Sequence, residues 1–133
     1  MAKMYFTVEE ANEWLPTFEQ ELHELQKLQK QAHEMSTTLR RLKSAHYKKL
    51  QTETESTFFL ESKLEFIDMQ FRLHLQNIQA SGAQLKDVEQ GLIDFPAFIN
   101  EKEVLLCWKL GEKEITHYHG PDEGFAGRKP LES

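Results

Sequence analysis

Hydrophobic positions in this chain change their spacing once, at Gly82. Before it they recur every three or four residues; after it they alternate. The first stripe, Leu15, Phe18, Leu22, Leu25, Leu28, Ala32, Met35, Leu39 and Leu42, marks one face of a long helix. A second stripe, Leu60, Leu64, Ile67, Phe71, Leu75 and Ile78, marks another. Neither glycine nor proline interrupts the chain between Pro16 and Gly82. One helix through both stripes would leave both uncovered, so the chain is expected to fold back within residues 35–57. Apolar periodicity lapses over Gln51–Ser56, where Thr52 and Glu55 make a capping box. The break is placed there, with Met35–Thr38 as the alternative. At 1.5 Å per residue the helices would be roughly 50 and 40 Å long.

The first helix has a clear start. In Phe6-Thr7-Val8-Glu9-Glu10-Ala11 the Thr7 hydroxyl can cap the Glu10 amide while Glu10 reaches back to the Thr7 amide. Phe6 can pack on Ala11 as a hydrophobic staple. Pro16 is expected to interrupt this helix after about two turns, kinking it or starting a new one. Gly82 suits the end of the second helix.

The alternating tail reads as a small antiparallel meander. Leu85–Val88 is a short strand. Leu92–Phe95 is a second, ended by Pro96, which lacks the amide a ladder needs. Val104–Leu110 is the best-defined strand; Gly111-Glu112-Lys113 turns, and Glu114–His119 returns beside it. So small a meander needs a covering layer, which the helices supply. The expected class is α+β: a long antiparallel helical hairpin with a short kinked start (residues 1–82) packed with a small antiparallel meander and C-terminal loop (83–133), in a single domain.

Charge refines the picture. Sixteen basic and 22 acidic residues leave a net charge of −6, which argues against a general nucleic-acid binder and against anionic membranes. Residues 1–25 hold six acids and one base, and 26–49 hold seven bases and one acid. This order complements the helix dipole. Folded back, Glu53, Glu55 and Glu61 would lie beside Arg40, Arg41, Lys43, Lys48 and Lys49. That basic cluster reads as a solvated face paired to the neighbouring helix; contact with RNA is the sharper alternative. The single cysteine fits a reducing compartment. Met1–Thr7 has no apolar leader-like core, no run approaches a membrane span, and the mean hydropathy is −0.62. The protein is therefore expected in the cytoplasm.

The tail, Gly91–Leu131, also concentrates the unusual chemistry: the cysteine, five of six glycines and three of four prolines. His117 and His119 lie two apart on a strand and project from one face, as a two-ligand clip would. With Cys107 before them and Asp122 and Glu123 after, they could hold a divalent transition metal. Equally, Cys107 can be a small buried hydrophobe and His117 an exposed side chain. Asp94, set among apolar residues, is a candidate acid or base with a raised pKa, or a cap for the turn expected at Pro96. Glu112 reads as turn polarity. Gly124-Phe125-Ala126-Gly127-Arg128 could cradle an anion; alternatively the glycines let the tail turn and Arg128 pairs with Asp94 or Glu123. Trp108 and Phe125 read as core, and His74 as a surface or boundary residue.

Three segments together resemble a bacterial family called domain of unknown function 2203. They are Phe6-Thr-Val-Glu-Glu-Ala-Asn12 with Leu15-Pro16, then Gly91-Leu-Ile-Asp-Phe-Pro96, and then Leu106-Cys-Trp-Lys-Leu-Gly-Glu112 with His119 and Gly124-Phe-Ala-Gly-Arg128. The likeness spans essentially the whole chain. The family pattern has tryptophan before the histidine matching His119, where this chain has Tyr118, and it has no counterpart of His117. The resemblance implies Asp94, Cys107, Trp108, Glu112, His119, Gly124, Gly127 and Arg128 as positions of interest and carries no activity.

Phe58, Phe59, Phe66, Met69 and Leu73 lie off the main stripe of the second helix. A two-helix layer cannot cover both faces, so these residues point to a homo-oligomer, with a dimer the simplest case. The expected function is a noncatalytic helical-hairpin module that self-associates. The alternative is a metal or small-ligand site, enzymatic or not, in the sheet. No catalytic motif is present to name a reaction.

Overall fold

The computed structural model describes residues 4–44 and 51–131. Two helices, α1 (Val8–Ser44) and α2 (Gln51–Gln79), precede β1 (Gln84–Asp87), β2 (Leu92–Ile99), β3 (Lys102–Lys109), β4 (His117–His119) and β5 (Lys129–Pro130). The strands form one antiparallel sheet in the order β1-β2-β3-β4-β5. The α+β class with a meander is as expected; the last strand was not anticipated.

The cap at the start of α1 forms as read. Thr7 N–H donates to Glu10 Oε1 at 2.8 Å, and Glu10 N–H donates to Thr7 Oγ1 at 3.0 Å. Thr7→Ala should cost about 1 kcal/mol, seen as a lower urea midpoint with an unchanged slope. Pro16 does not interrupt this helix, which continues to Ser44. The apolar stripe runs through it without a break, and Ala11, Leu15, Phe18, Leu22, Leu25 and Leu28 are all buried. Burying that stripe outweighs one missing helical hydrogen bond, a cost of about 3 kcal/mol.

The hairpin is antiparallel. Lys43 Nζ lies 3.0 Å from Glu61, and Glu21 meets His74 at 2.6 Å and Asn77 at 3.1 Å. The break does not fall at Gln51–Ser56 or Met35–Thr38, both of which are helical. It lies between Ser44 and Gln51, outside the described residues, as do Lys48 and Lys49. The Thr52–Glu55 capping box also rests on side chains outside the described ones. At Met35–Thr38 the Thr37 and Thr38 hydroxyls donate back to the His33 and Glu34 carbonyls, so these residues are accommodated within the helix.

One face of the sheet packs on the helices. Ile93, Phe95, Ala97, Val104, Leu106 and Trp108 join the α1 stripe and Ile78 in one core. Phe95 takes the edge of Phe6 at 5.2 Å and stacks on Phe18 at 5.8 Å. Gln26 Nε2–H donates to the Val88 and Glu89 carbonyls, so α1 also holds the β1–β2 turn. α1 is about 55 Å long, whereas an eight-residue strand spans only about 26 Å. The hairpin therefore outreaches the sheet, and beyond Leu28 its stripe is only half-buried.

β2 does not end at Pro96. Pro96 pairs with Leu105 in mid-strand. Its carbonyl accepts a hydrogen bond from Phe6 N–H at 2.8 Å, on the side away from β3. A residue's N–H and C=O point the same way in a strand, so the missing amide costs the β2–β3 ladder nothing. The residues at the chain start wrap this edge. Phe6 enters the core, while Tyr5 crosses to the other face, packs on Phe98 and donates its hydroxyl proton to Glu103.

Candidate functional site

The outer face of the sheet carries the polar candidates. Register pairs Asp94 with Cys107 and Cys107 with His117, while His119 sits opposite Leu105. Paired and alternate residues share a face, so Asp94, Cys107, His117 and His119 all project away from the helices. Asp94, Cys107 and His119 are nonetheless almost fully buried. Trp108, between them in sequence, points into the core.

Asp94 and His119 form a closed pair. His119 Nε2 lies 3.0 Å from Asp94 Oδ2, and His119 Nδ1 lies 2.9 Å from the Gly120 carbonyl. The carbonyl can only accept, so Nδ1 carries a proton; a second proton must lie between Nε2 and Oδ2. Asp94 therefore caps no turn. Burial raises its pKa, and the facing His119 pulls it back down in part. Both imidazole nitrogens are occupied, which leaves none for a substrate or metal.

Glu112 and Arg128 form the second pair. Arg128 Nη2–H donates to Glu112 Oε2 at 2.8 Å, and Lys109 N–H donates to Oε1 at 2.8 Å. The Glu112 carbonyl accepts from the Trp108 indole at 2.9 Å. Glu112 is thus a brace, not solvated turn polarity: it joins the β3 end, the core tryptophan and the tail. Arg128 binds neither Asp94 nor Glu123 as a partner. Its guanidinium lies 4.5 Å over Phe125, which is half-exposed instead of core. Arg128 Nε is buried and has no partner among the described residues.

Cys107 lies between the two pairs and feels the charges of Arg128, Asp94 and Glu112. Burial dominates and pushes its thiol up to about 11. A neutral thiol of that kind is a poor nucleophile and a poor ligand. His117 shares a hydrogen bond with Thr116. Among the described residues no three His, Cys, Asp or Glu side chains are arranged to hold a metal ion, so Cys107, His117, His119 and Glu123 do not converge as a ligand set.

The glycine loop also turns inward. Gly127 N–H donates to the Gly124 carbonyl and Arg128 N–H to the Phe125 carbonyl, around a single 3-10 turn at Phe125–Gly127. Those amides are not free for an anion. Glu123 accepts from Gly120 N–H at 2.8 Å, and a Cβ on Gly120 or Gly127 would come within 2.9 or 3.0 Å of its carboxylate. A side chain at either position would displace the Glu123 carboxylate from this place. The Gly120 amide, helped by Lys129, lowers the Glu123 pKa. A cleft of about 410 Å³ between the β2–β3 turn and the tail is lined by Lys102, Tyr118, Glu123 and Lys129 among others; of the candidates it includes Glu123 alone.

Two polar ties were not read from the sequence. Asn12 Oδ1 accepts from Ile115 N–H at 2.7 Å, anchoring the stretch before β4 to α1. Glu21 bridges His74 and Asn77 across the hairpin. Asn12 closes the Phe6–Asn12 segment, which was the available signal; Glu21 lies in ordinary helical text.

Among the described residues no helix is long and apolar enough to cross a membrane. A family model described as uncharacterized conserved protein (DUF2203) matches residues 4–131. No curated protein and no solved structure matches the chain.

Proposed function

The chain belongs to the DUF2203 family, and from that starting point we propose a noncatalytic interaction module: a helical hairpin that pairs with a second copy of itself through the outward face of α2. The observation that carries this reading is the exposure of Phe58, Phe59, Phe66, Met69 and Leu73, between 57% and 71% each. At about 200 Å² for a large side chain, the five leave roughly 600 Å² of apolar surface open to water. That is at or above the largest patch of a typical monomer, about 300–600 Å², and approaches the 800 Å² or so that each partner buries in a stable complex. The polar candidates on the sheet support the noncatalytic part. Asp94 with His119 and Glu112 with Arg128 spend their hydrogen bonds on one another and on the neighbouring backbone. A chain whose single cysteine is buried and has no second cysteine to pair with suits the cytoplasm.

Light scattering tests the proposal. At high micromolar concentration the mass should be about twice the 15.6 kDa of the chain. Phe66→Glu with Met69→Lys should return it to one chain without changing the helical circular dichroism. A wild-type protein that stays at one chain mass removes the proposal.

A further inference from the structure

The exposed stripe has an order that specifies how two copies meet. Phe59, Phe66 and Leu73 are seven residues apart, and Ser62 and Met69 fall three residues after the first two. This is heptad spacing, with a seam of 3.5 residues. One flank of the seam holds Phe58, Glu65 and Arg72; the other holds Lys63, Gln70 and Asn77. Resting on the self-association proposed above, we infer that the two α2 helices pack antiparallel, with Phe66 against the partner's Met69 and Glu65 paired with the partner's Arg72.

Charge decides between the arrangements. In a parallel pair, opposite flanks meet five residues apart. Glu65 would face the partner's Gln70, and Arg72 the partner's Asn77, with no complementary charge. In an antiparallel pair, like flanks meet. Centred on Phe66 and Met69, the two-fold axis sets Glu65 beside the partner's Arg72 twice. Lys63 then meets the partner's Gln70. Slipping by one heptad sets Glu65 against Glu65 or Arg72 against Arg72, so the same two residues also select the register. Arg72 now lies 2.9 Å from Asp68, four residues earlier, with side chains 73% and 56% exposed. Such a solvated pair holds weakly and can exchange for a better-placed partner. A hollow of about 330 Å³ opens beside Phe66 between the two helices of the hairpin, lined also by Gln31, Glu34, Met35, Lys63 and Ile67.

Cysteine cross-linking separates orientation from association. Ser62 faces the partner's Leu73 in the inferred arrangement and the partner's Ser62 in a parallel one. Oxidising an equimolar mixture of Ser62→Cys and Leu73→Cys proteins should give a covalent heterodimer, while Ser62→Cys alone should give none. Native Cys107 is buried and remains out of reach. Cross-linking of Ser62→Cys alone would overturn the antiparallel orientation and leave self-association standing. A chain that is a monomer by light scattering and cross-links in no sample overturns both. Separately, Glu65→Arg should weaken the dimer about tenfold or more by placing like charges together, and adding Arg72→Glu should restore it. A double swap as weak as the single would overturn the Glu65–Arg72 pairing.

Discussion

Glu112→Ala should lower stability by about 3 kcal/mol or more, as expected for removing one partner of a largely buried ion pair. Glu112 serves three segments at once. It accepts from the Lys109 amide, its carbonyl takes the Trp108 indole proton, and its second oxygen holds Arg128. The substitution keeps the carbonyl and removes the carboxylate. Arg128, whose side chain is only 15% exposed and whose Nε already has no partner among the described residues, would then be a largely buried cation without its carboxylate, held only by the face of Phe125. Adding Arg128→Met should recover part of the loss, because an apolar pair of similar volume avoids the desolvation problem. Urea unfolding of the three proteins at one concentration measures this. A loss under about 1 kcal/mol in Glu112→Ala would be the value of an ordinary exposed pair, and would mean that Glu112 does not brace the tail.

Asp94 should give a pH signature. Asp94→Ala leaves His119 Nε2 buried without a partner and should cost about 1–3 kcal/mol. Asp94→Asn should cost far less, since its amide can donate to Nε2 while Nδ1–H keeps the Gly120 carbonyl. The wild type differs from Asp94→Asn in carrying a titrating carboxyl. Burial lifts that carboxyl above its ordinary 3.8. The native state then binds the proton more tightly than the unfolded chain does. Asp94 contributes in full below 3.8 and loses that contribution as pH rises through the raised value. The stability of wild type minus that of Asp94→Asn should therefore fall with rising pH across this window and level off above it. Glu123 has the opposite sign, contributing above its ordinary value and losing that contribution on acidification. It is common to both proteins and drops out of the difference. A flat difference profile would show that Asp94 titrates alike in the folded and unfolded chain.

Spacing and caps made much of this fold legible. Thr7 and Glu10, the two helical stripes and the meander all rest on local physics, which one short window of sequence contains. The two prolines misled because breakers are judged locally but tolerated globally. Pro16 lies within a stripe that is buried on both sides of it, and Pro96 has its missing amide on the side away from β3. The polar pairs were beyond reach for a related reason. His119 is 25 residues from Asp94, and Arg128 is 16 from Glu112. The register of β2, β3 and β4 brings the first pair together, and the return of the tail beside β4 as β5 brings the second. Without these, Asp94 looks like a turn cap and Glu112 like a solvated turn residue. That Asp94 pairs with His119, and Glu112 with Arg128, was not legible in the sequence.

The meander and the hairpin each join neighbours along the chain, and this has a kinetic consequence. Each strand pairs with the next, and the two helices, which follow one another in the sequence, pack together. The ties that fasten the two parts are different: Tyr5 to Glu103 and Asn12 to Ile115 bridge 98 and 103 residues. Contacts of short sequence separation form quickly, whereas closing a ring of that size carries the larger entropic penalty. We therefore expect the docking of residues 4–12 onto the sheet to be the slow step of assembly, so that Asn12→Ala, which removes one of these ties, should slow refolding in a stopped-flow measurement.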